Sequence, residues 1–203
     1  MKIVAITLWR HQGENKDPIR LCQAKKIDFV GYFQQTTVSQ VITASSRVIA
    51  QRTQPGTRQS VALENVPYLV HVHVRLDGLC GTVVCDKDYP QRVAFTYLGK
   101  QLNDFESSVP HWKSLTIDQN SSPFENKLND DLIKFQNPHE ADKLSKIQSD
   151  LDEITATMKT NIDQILQRGE TLDSLMDKSD DLSAASKVFY KQAKKTNQCC
   201  SYY

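Results

Sequence analysis

The sequence predicts an α+β domain over residues 1–110, followed by one long coiled-coil helix over residues 140–196. In the first stretch, short runs rich in β-branched residues and bounded by turn chemistry alternate with two helical periodicities. In the second, an apolar three-and-four repeat continues from Glu140 to Thr196 with no proline, longer than ordinary globular helices run.

Strands are expected at Ile3 to Trp9, Leu21 to Ile27, Ser60 to Glu64, Tyr68 to Leu76 and Leu79 to Cys85. Asp77-Gly78 between the last two predicts a hairpin. Val38, Val41, Ile42, Ser45, Val48 and Ile49 recur on one helical face and stop before Gln54-Pro55-Gly56. Pro90 suits the first turn of a second helix, in which Leu98, Leu102, Phe105 and Val109 share a face. Residues 111–139 read as a linker, punctuated by Asn120-Ser121-Ser122-Pro123 and Asn137-Pro138. Within it Phe124, Leu128, Leu132 and Phe135 are spaced for one short helix, and the linker can fold back or swing out.

The repeat in the second half passes through Leu144, Ile147, Leu151, Ile154, Met158, Asn161, Ile165, Arg168, Leu172, Leu175, Ser179, Leu182, Ser186, Phe189, Ala193 and Thr196. Eleven of these sixteen positions are apolar, so the segment associates through a single seam. Arg168 interrupts that seam near its centre, and a guanidinium there requires polar partners from other helices, because a buried unpaired charge is prohibitive. Gly169 beside it weakens an isolated helix by about 1 kcal/mol relative to Ala, so the segment orders when partners arrive. The plainer alternative is an amphipathic helix with one snorkelling arginine. The length of the register argues against it.

Composition excludes several classes. A chain of 203 residues accommodates one compact domain and an extension, and a net charge of +1 with no basic cluster among aromatics gives no reason to expect nucleic acid. Five cysteines, at 22, 80, 85, 199 and 200, do not make a secreted disulfide framework and point to a reducing compartment. The apolar opening from Lys2 to Trp9 is too short for a signal peptide, and no run of about 18 apolar residues exists to span a bilayer. Without a phosphate loop, an HExxH or a nucleophile elbow, no enzyme, cofactor or metal centre is expected. His71 and His73 share a strand face and read as its solvent-facing side rather than half a zinc site. Cys80 and Cys85 lack a second pair and read as buried or half-buried thiols.

The seam with its central arginine resembles the R-SNARE motif, in which one arginine faces three glutamines in a parallel four-helix bundle. The order strand, strand, helix, three strands, helix resembles a longin domain, a profilin-like module with a five-stranded antiparallel sheet and flanking helices. Asp88-Tyr89-Pro90-Gln91-Arg92-Val93-Ala94-Phe95 is similar to the start of the last long helix in the lipid-anchored longin SNAREs of the Ykt type, and Gly56-Thr57-Arg58 to the turn after their first helix.

That resemblance implies an R-SNARE that drives vesicle-membrane fusion in the endomembrane pathway by zippering with three Q-SNARE helices, with Arg168 as the zero layer and the other seam residues as the flanking layers. It implies a longin domain that regulates access to the segment, with Phe33, Val41 and Ile42 lining a groove for that segment or for a lipid, or else packing on the sheet. In the tail, residues 197–203, it implies a prenyl group on Cys200 and a palmitoyl group on Cys199, attached at the cytoplasmic face of Golgi, ER, vesicle and endosomal or vacuolar membranes. Two lipids hold a chain stably where one does not, and Lys187, Lys191, Lys194 and Lys195 add attraction to anionic lipid. Ser201, Tyr202 and Tyr203 depart from the usual residues after such a cysteine, which leaves an unmodified thiol pair open. Two other classes compete. One is a longin trafficking adaptor or GTPase regulator with a coiled-coil tether; the other is an acyl- or prenyl-handling enzyme built on Cys199, which lacks a nearby histidine.

Overall fold

The computed structural model describes residues 2–63, 66–119, 121–138 and 157–199, without the side chains of Phe33 and of residues 195–199. Strands β1 (Ile3–Arg10) and β2 (Ile19–Lys25) precede helix α1 (Tyr32–Arg52). Strands β3 (Arg58–Ala62), β4 (Tyr68–Val74) and β5 (Leu79–Asp86) then lead into helix α2 (Gln91–Ser108). This is the expected order, with strand boundaries moved by one or two residues. The hairpin turns at Asp77-Gly78 as expected. Gly78 takes a φ of +89°, and Arg75 N–H donates to Leu79 O at 2.9 Å.

Both faces of the sheet are covered, which explains why β1 is apolar at nearly every position rather than alternating. Ile3, Ile6 and Leu8 join Leu98, Leu102 and Phe105 of α2 in one core. Val4, Ala5 and Trp9 join Ile42 and Ile49 of α1 in the other. Helix α2 lies so close to β5 that a Cβ built on Gly81 would come within 2.5 Å of Leu98 Cδ1. Beneath α1, Trp9 Nε1–H donates to Thr82 Oγ1 at 3.0 Å.

The stretch expected as a linker contributes to the first core. Helix α3 (Glu125–Lys134) is flanked by Phe124 and Phe135, and all of Phe124, Leu128, Leu132 and Phe135 are buried. Tyr89 O–H donates to Phe135 O at 2.7 Å, and Asp131 accepts from Lys100 at 2.5 Å and Gln101 at 2.9 Å. Residues just before α3 shield the outer edge of β2, where Gln119 N–H donates to Arg20 O at 2.8 Å.

The sheet has six strands, not the expected five, in the order β2-β1-β5-β4-β3-β6. The sixth, β6 (Met158–Asn161), comes from the coiled-coil segment and pairs in parallel with β3, so that Gln59 faces Met158 and Ala62 faces Asn161. In place of one continuous helix, the described part of that segment continues as α4 (Ile162–Ile165), α5 (Leu172–Lys178) and α6 (Ala184–Cys199). Local chemistry divides it. Asn161 N–H donates to Gln164 Oε1 at 2.9 Å at the head of α4. Gly169 turns the chain with a φ of +88°. Thr171 Oγ1 accepts from Ser174 N–H at 3.1 Å and caps α5, and Ser183 Oγ accepts from Ser186 N–H at 3.2 Å within the first turn of α6.

Candidate functional site

The candidate site is the surface on which the coiled-coil segment lies. Ile162 is 1 % exposed and enters the core beneath α1 with Val61, Val70 and Val72. Ile165, Leu166 and Leu172 pack against the same core. On the outer side of α1, Met176 and Leu182 close over Ala44 and Val48, with Val41, Leu175 and Tyr190 half-buried around them. Because α1 is sandwiched between the sheet and this segment, Thr43, Ser45 and Ser46 are buried as well. Their hydroxyls bond locally where they can: Ser45 Oγ donates to Val41 O at 2.8 Å and Thr43 Oγ1 to Ser39 O at 2.9 Å.

Polar contacts order the segment along α1. Arg52 pairs with Glu170 at 2.7 Å. Arg47 Nε–H donates to Asp181 Oδ2 at 2.6 Å and a second guanidinium nitrogen to Asp181 Oδ1 at 3.0 Å. Ser183 N–H donates to Gln40 Oε1 at 3.0 Å, and Ser186 Oγ to Thr37 Oγ1 at 3.1 Å. Arg47 is the hub: it also binds Asp118, donates to Pro18 O at 2.5 Å and lies 5.0 Å from the centre of the Trp9 ring. Burial works against the charge of Arg47, but the bonds it donates to Asp181 and Asp118 outweigh it and raise its pKa further. Burial likewise pulls Asp118 upward, yet the Arg47 bonds and the Arg20 N–H hold it below the usual carboxylate value.

Of the seam residues expected from sequence, Ile165, Leu172, Leu175, Leu182 and Ser186 face α1 or the core beneath it. Met158 is 66 % exposed, Phe189 is 37 % exposed, and Asn161 and Arg168 are exposed. Arg168 occupies the turn beside Gly169 and forms no ion pair among the described residues. Ser179 and Ala193 are half-buried, and Leu144, Ile147, Leu151, Ile154 and Cys200 lie outside the described residues. For Cys199, Thr196 and Phe33 the backbone alone is described; Val41 and Ile42 do line the surface under the segment.

Sequence reasoning missed Ile162, Leu166 and Met176, which are off the seam yet turned inward, and the Arg47, Asp118 and Asp181 cluster. The residue types Thr171, Ser183 and Gly169 were available signals that the helix could break, and the structure uses them as two caps and a positive-φ turn. Nothing local links Arg47 to Asp181, 134 positions apart.

His71 is not solvent-facing: it is fully buried, because α2 covers that face. Its Nδ1 is 2.7 Å from Ser60 Oγ and its ring meets Phe95 edge-on at 5.1 Å. Burial first, then Lys159 on β6, depress it to about 4, so the imidazole is neutral. Cys80 and Cys85 are buried thiols on β5, and burial pushes Cys22 up to about 11 and Cys85 to about 12, so these thiols stay protonated.

A two-sided sheet whose strand β3 and first helix hold a SNARE-like segment defines a longin-domain protein carrying its own coiled-coil motif. Comparison agrees for both parts: the Longin family model, described as a regulated-SNARE-like domain, matches residues 27–128, and the Synaptobrevin model matches residues 143–201. The chain is 41% identical over 205 residues to the synaptobrevin homolog YKT6 of Candida glabrata, and 39% over 202 residues to that of Saccharomyces cerevisiae, with 98% of both chains covered in each case. It is 44% identical over 203 residues to the VAMP-like protein YKT61 of Arabidopsis thaliana, covering 99% of each. The chain belongs to the Ykt-type longin R-SNAREs, and it is an R-SNARE of vesicle trafficking. The Synaptobrevin match favours this class over the adaptor reading, the family is one of non-enzymatic trafficking proteins, and its partners are other SNAREs. Among the described residues no helix is long and apolar enough to cross a membrane.

Proposed function

We propose that this arrangement is the closed state of a fusion component, in which the longin domain withholds the SNARE motif from its Q-SNARE partners. One observation carries the reading: Leu172, Leu175, Leu182 and Ser186 lie on the seam that a bundle would bury, and here they are engaged with α1. A side chain cannot occupy both places. Release of β6 and of α4 to α6 lets residues 140–196 become one helix, and Arg168 then turns inward to meet three glutamines as the zero layer, flanked by the seam residues from Leu144 to Ala193. Burying each apolar layer contributes about 1.5 to 3 kcal/mol, offset by the ordering of the chain. The released chain acts at the cytoplasmic faces of Golgi, ER, vesicle and endosomal or vacuolar membranes, held there by a prenyl group on Cys200 and a palmitoyl group on Cys199. Mass spectrometry of the C-terminal peptide from protein made in its own cell decides the anchor.

Gating is tested with Asp181→Lys. This position is off the seam, so the change sets a lysine against Arg47 in the closed state and touches no bundle layer. Full-length Asp181→Lys should assemble faster than wild type with a set of three Q-SNARE helices, read by the gain of helical circular dichroism. Equal rates would remove the longin domain as a gate.

A further inference from the structure

Hydrogen bonding along the docked segment is uneven. At Arg47 every guanidinium nitrogen has an acceptor: Nε–H and Nη2–H donate to Asp181, Nη2–H also to Asp118, and Nη1–H to Pro18 O. Beyond it α5 and α6 clasp each other, since Asp173 accepts from Tyr190 Oη at 3.1 Å and from Lys194 Nζ at 2.7 Å, and Asp177 pairs with Lys191 at 2.7 Å. This half of the segment is well paired.

The other half is not. Arg52 Nη2–H donates to Glu170 Oε1 at 2.7 Å and Nη1–H to Glu14 O at 3.2 Å, but its Nε–H is buried and has no acceptor among the described residues. Earlier in the segment, on β6, the Thr160 hydroxyl is buried and likewise without a partner. The strand itself explains this. Of its four side chains Met158, Lys159 and Asn161 are exposed, whereas Thr160 lies beside Val61 in the β3 register, and cross-strand neighbours share a face. That face belongs to the apolar core beneath α1, with Val61, Val70, Val72 and Ile162. Ser45 and Thr53 of α1 meet the same difficulty by donating to the carbonyl four residues back, which a strand does not bring within reach. Thr160 Oγ1 has therefore lost water and gained nothing.

In the fusion bundle that burden disappears. Thr160 is between the seam residues Met158 and Asn161, on the outer side of a continuous helix, where water reaches the hydroxyl. We propose that Thr160 is a built-in weak point of the closed state, so that opening starts at β6 and runs toward α6, and that an apolar side chain of the same shape there holds the SNARE motif shut. This deepens the gating reading above and rests on it.

The test uses the full chain. Thr160→Val removes the hydroxyl and keeps the shape, while Thr160→Ser keeps the hydroxyl. In wild type, amide hydrogens of β6 and α4 should exchange faster than those of α5 and α6. Thr160→Val should slow exchange in β6 and α4 about tenfold and slow assembly with three Q-SNARE helices by a similar factor, without altering the melting of the assembled bundle. Thr160→Ser should slow neither. Unchanged or faster exchange in Thr160→Val, equal slowing by Thr160→Ser, or wild-type exchange slower in β6 than in α5 would each overturn the proposal. Slower exchange in Thr160→Val at an unchanged assembly rate would uphold the weak point and count against the gating reading instead, which keeps the two failures apart.

Discussion

Met176 separates the closed state from the fusion bundle, because it is buried in the first and off the seam of the second. It is 1 % exposed and closes over Ala44 and Val48 of α1 beside Leu182. Truncating such a side chain costs about 2 to 5 kcal/mol in a rigid core, and the low end applies to a docked segment that can settle around the gap. With every 1.4 kcal/mol worth a factor of ten, a loss of about 2 kcal/mol shifts docking toward release about 30-fold. In Met176→Ala, amide hydrogens of α5 and α6 should therefore exchange faster by about that factor, while those of β1 and β5 exchange as in wild type. Assembly with three Q-SNARE helices should speed up as well. Leu175→Ala is the counterpart: Leu175 is packed in the closed state and is a seam residue, so it should loosen docking and also weaken the assembled bundle. If Met176→Ala leaves exchange in α5 and α6 unchanged, or slows assembly, the docked segment is not what limits the chain.

Two further predictions concern pH. His71 is held near 4 by burial and by Lys159, below its ordinary 6.5, so the unfolded chain binds the proton first and stability falls as pH drops from 6.5 toward 4. Urea unfolding should show that slope, approaching about 1.4 kcal/mol per pH unit, and His71→Leu should flatten it; an equal slope in the variant would refute it. Asp131 is drawn upward by burial but held down to about 2 by Lys100, Gln101 and Lys134, so its contribution is present above 3.8 and lost as pH falls toward 2. Asp131→Asn should be less stable than wild type at neutral pH, with the two curves converging between pH 3.8 and 2. Curves that stay parallel there would show that the charge of Asp131 is not what clasps α3 to α2.

Features decided within a few residues were legible. The Asp77-Gly78 hairpin follows from the need for a positive φ, and of the Val38 to Ile49 face Val38, Ile42 and Ile49 meet the sheet, whereas Val41 and Val48 meet the docked segment on the other side of α1. The helix at Phe124 to Phe135 was visible by its spacing, but its place in the core was not: a polar stretch reads as linker until Tyr97 stacks on Phe135 at 4.5 Å. His71 was misplaced for a related reason. Alternation tells which residues share a strand face but not whether a helix covers it, and here Phe95 of α2 does.

By itself the sequence determined the order of strands and helices over residues 1–110, the apolar seam and the position of Arg168 within it, because these depend on periodicity along the chain. It also carried, in Thr171, Ser183 and Gly169, the local means to break the seam into pieces. Only the tertiary structure decided which state the segment takes. Apolar side chains at Leu172, Leu175 and Leu182 leave water for whatever surface is within reach, and the free edge of β3 and the outer face of α1 supply it. The sixth strand, the inward turn of Ile162 and Met176 and the grip of Arg47 on Asp181 all follow from that proximity, which contacts between residues far apart in the chain create and no local pattern encodes.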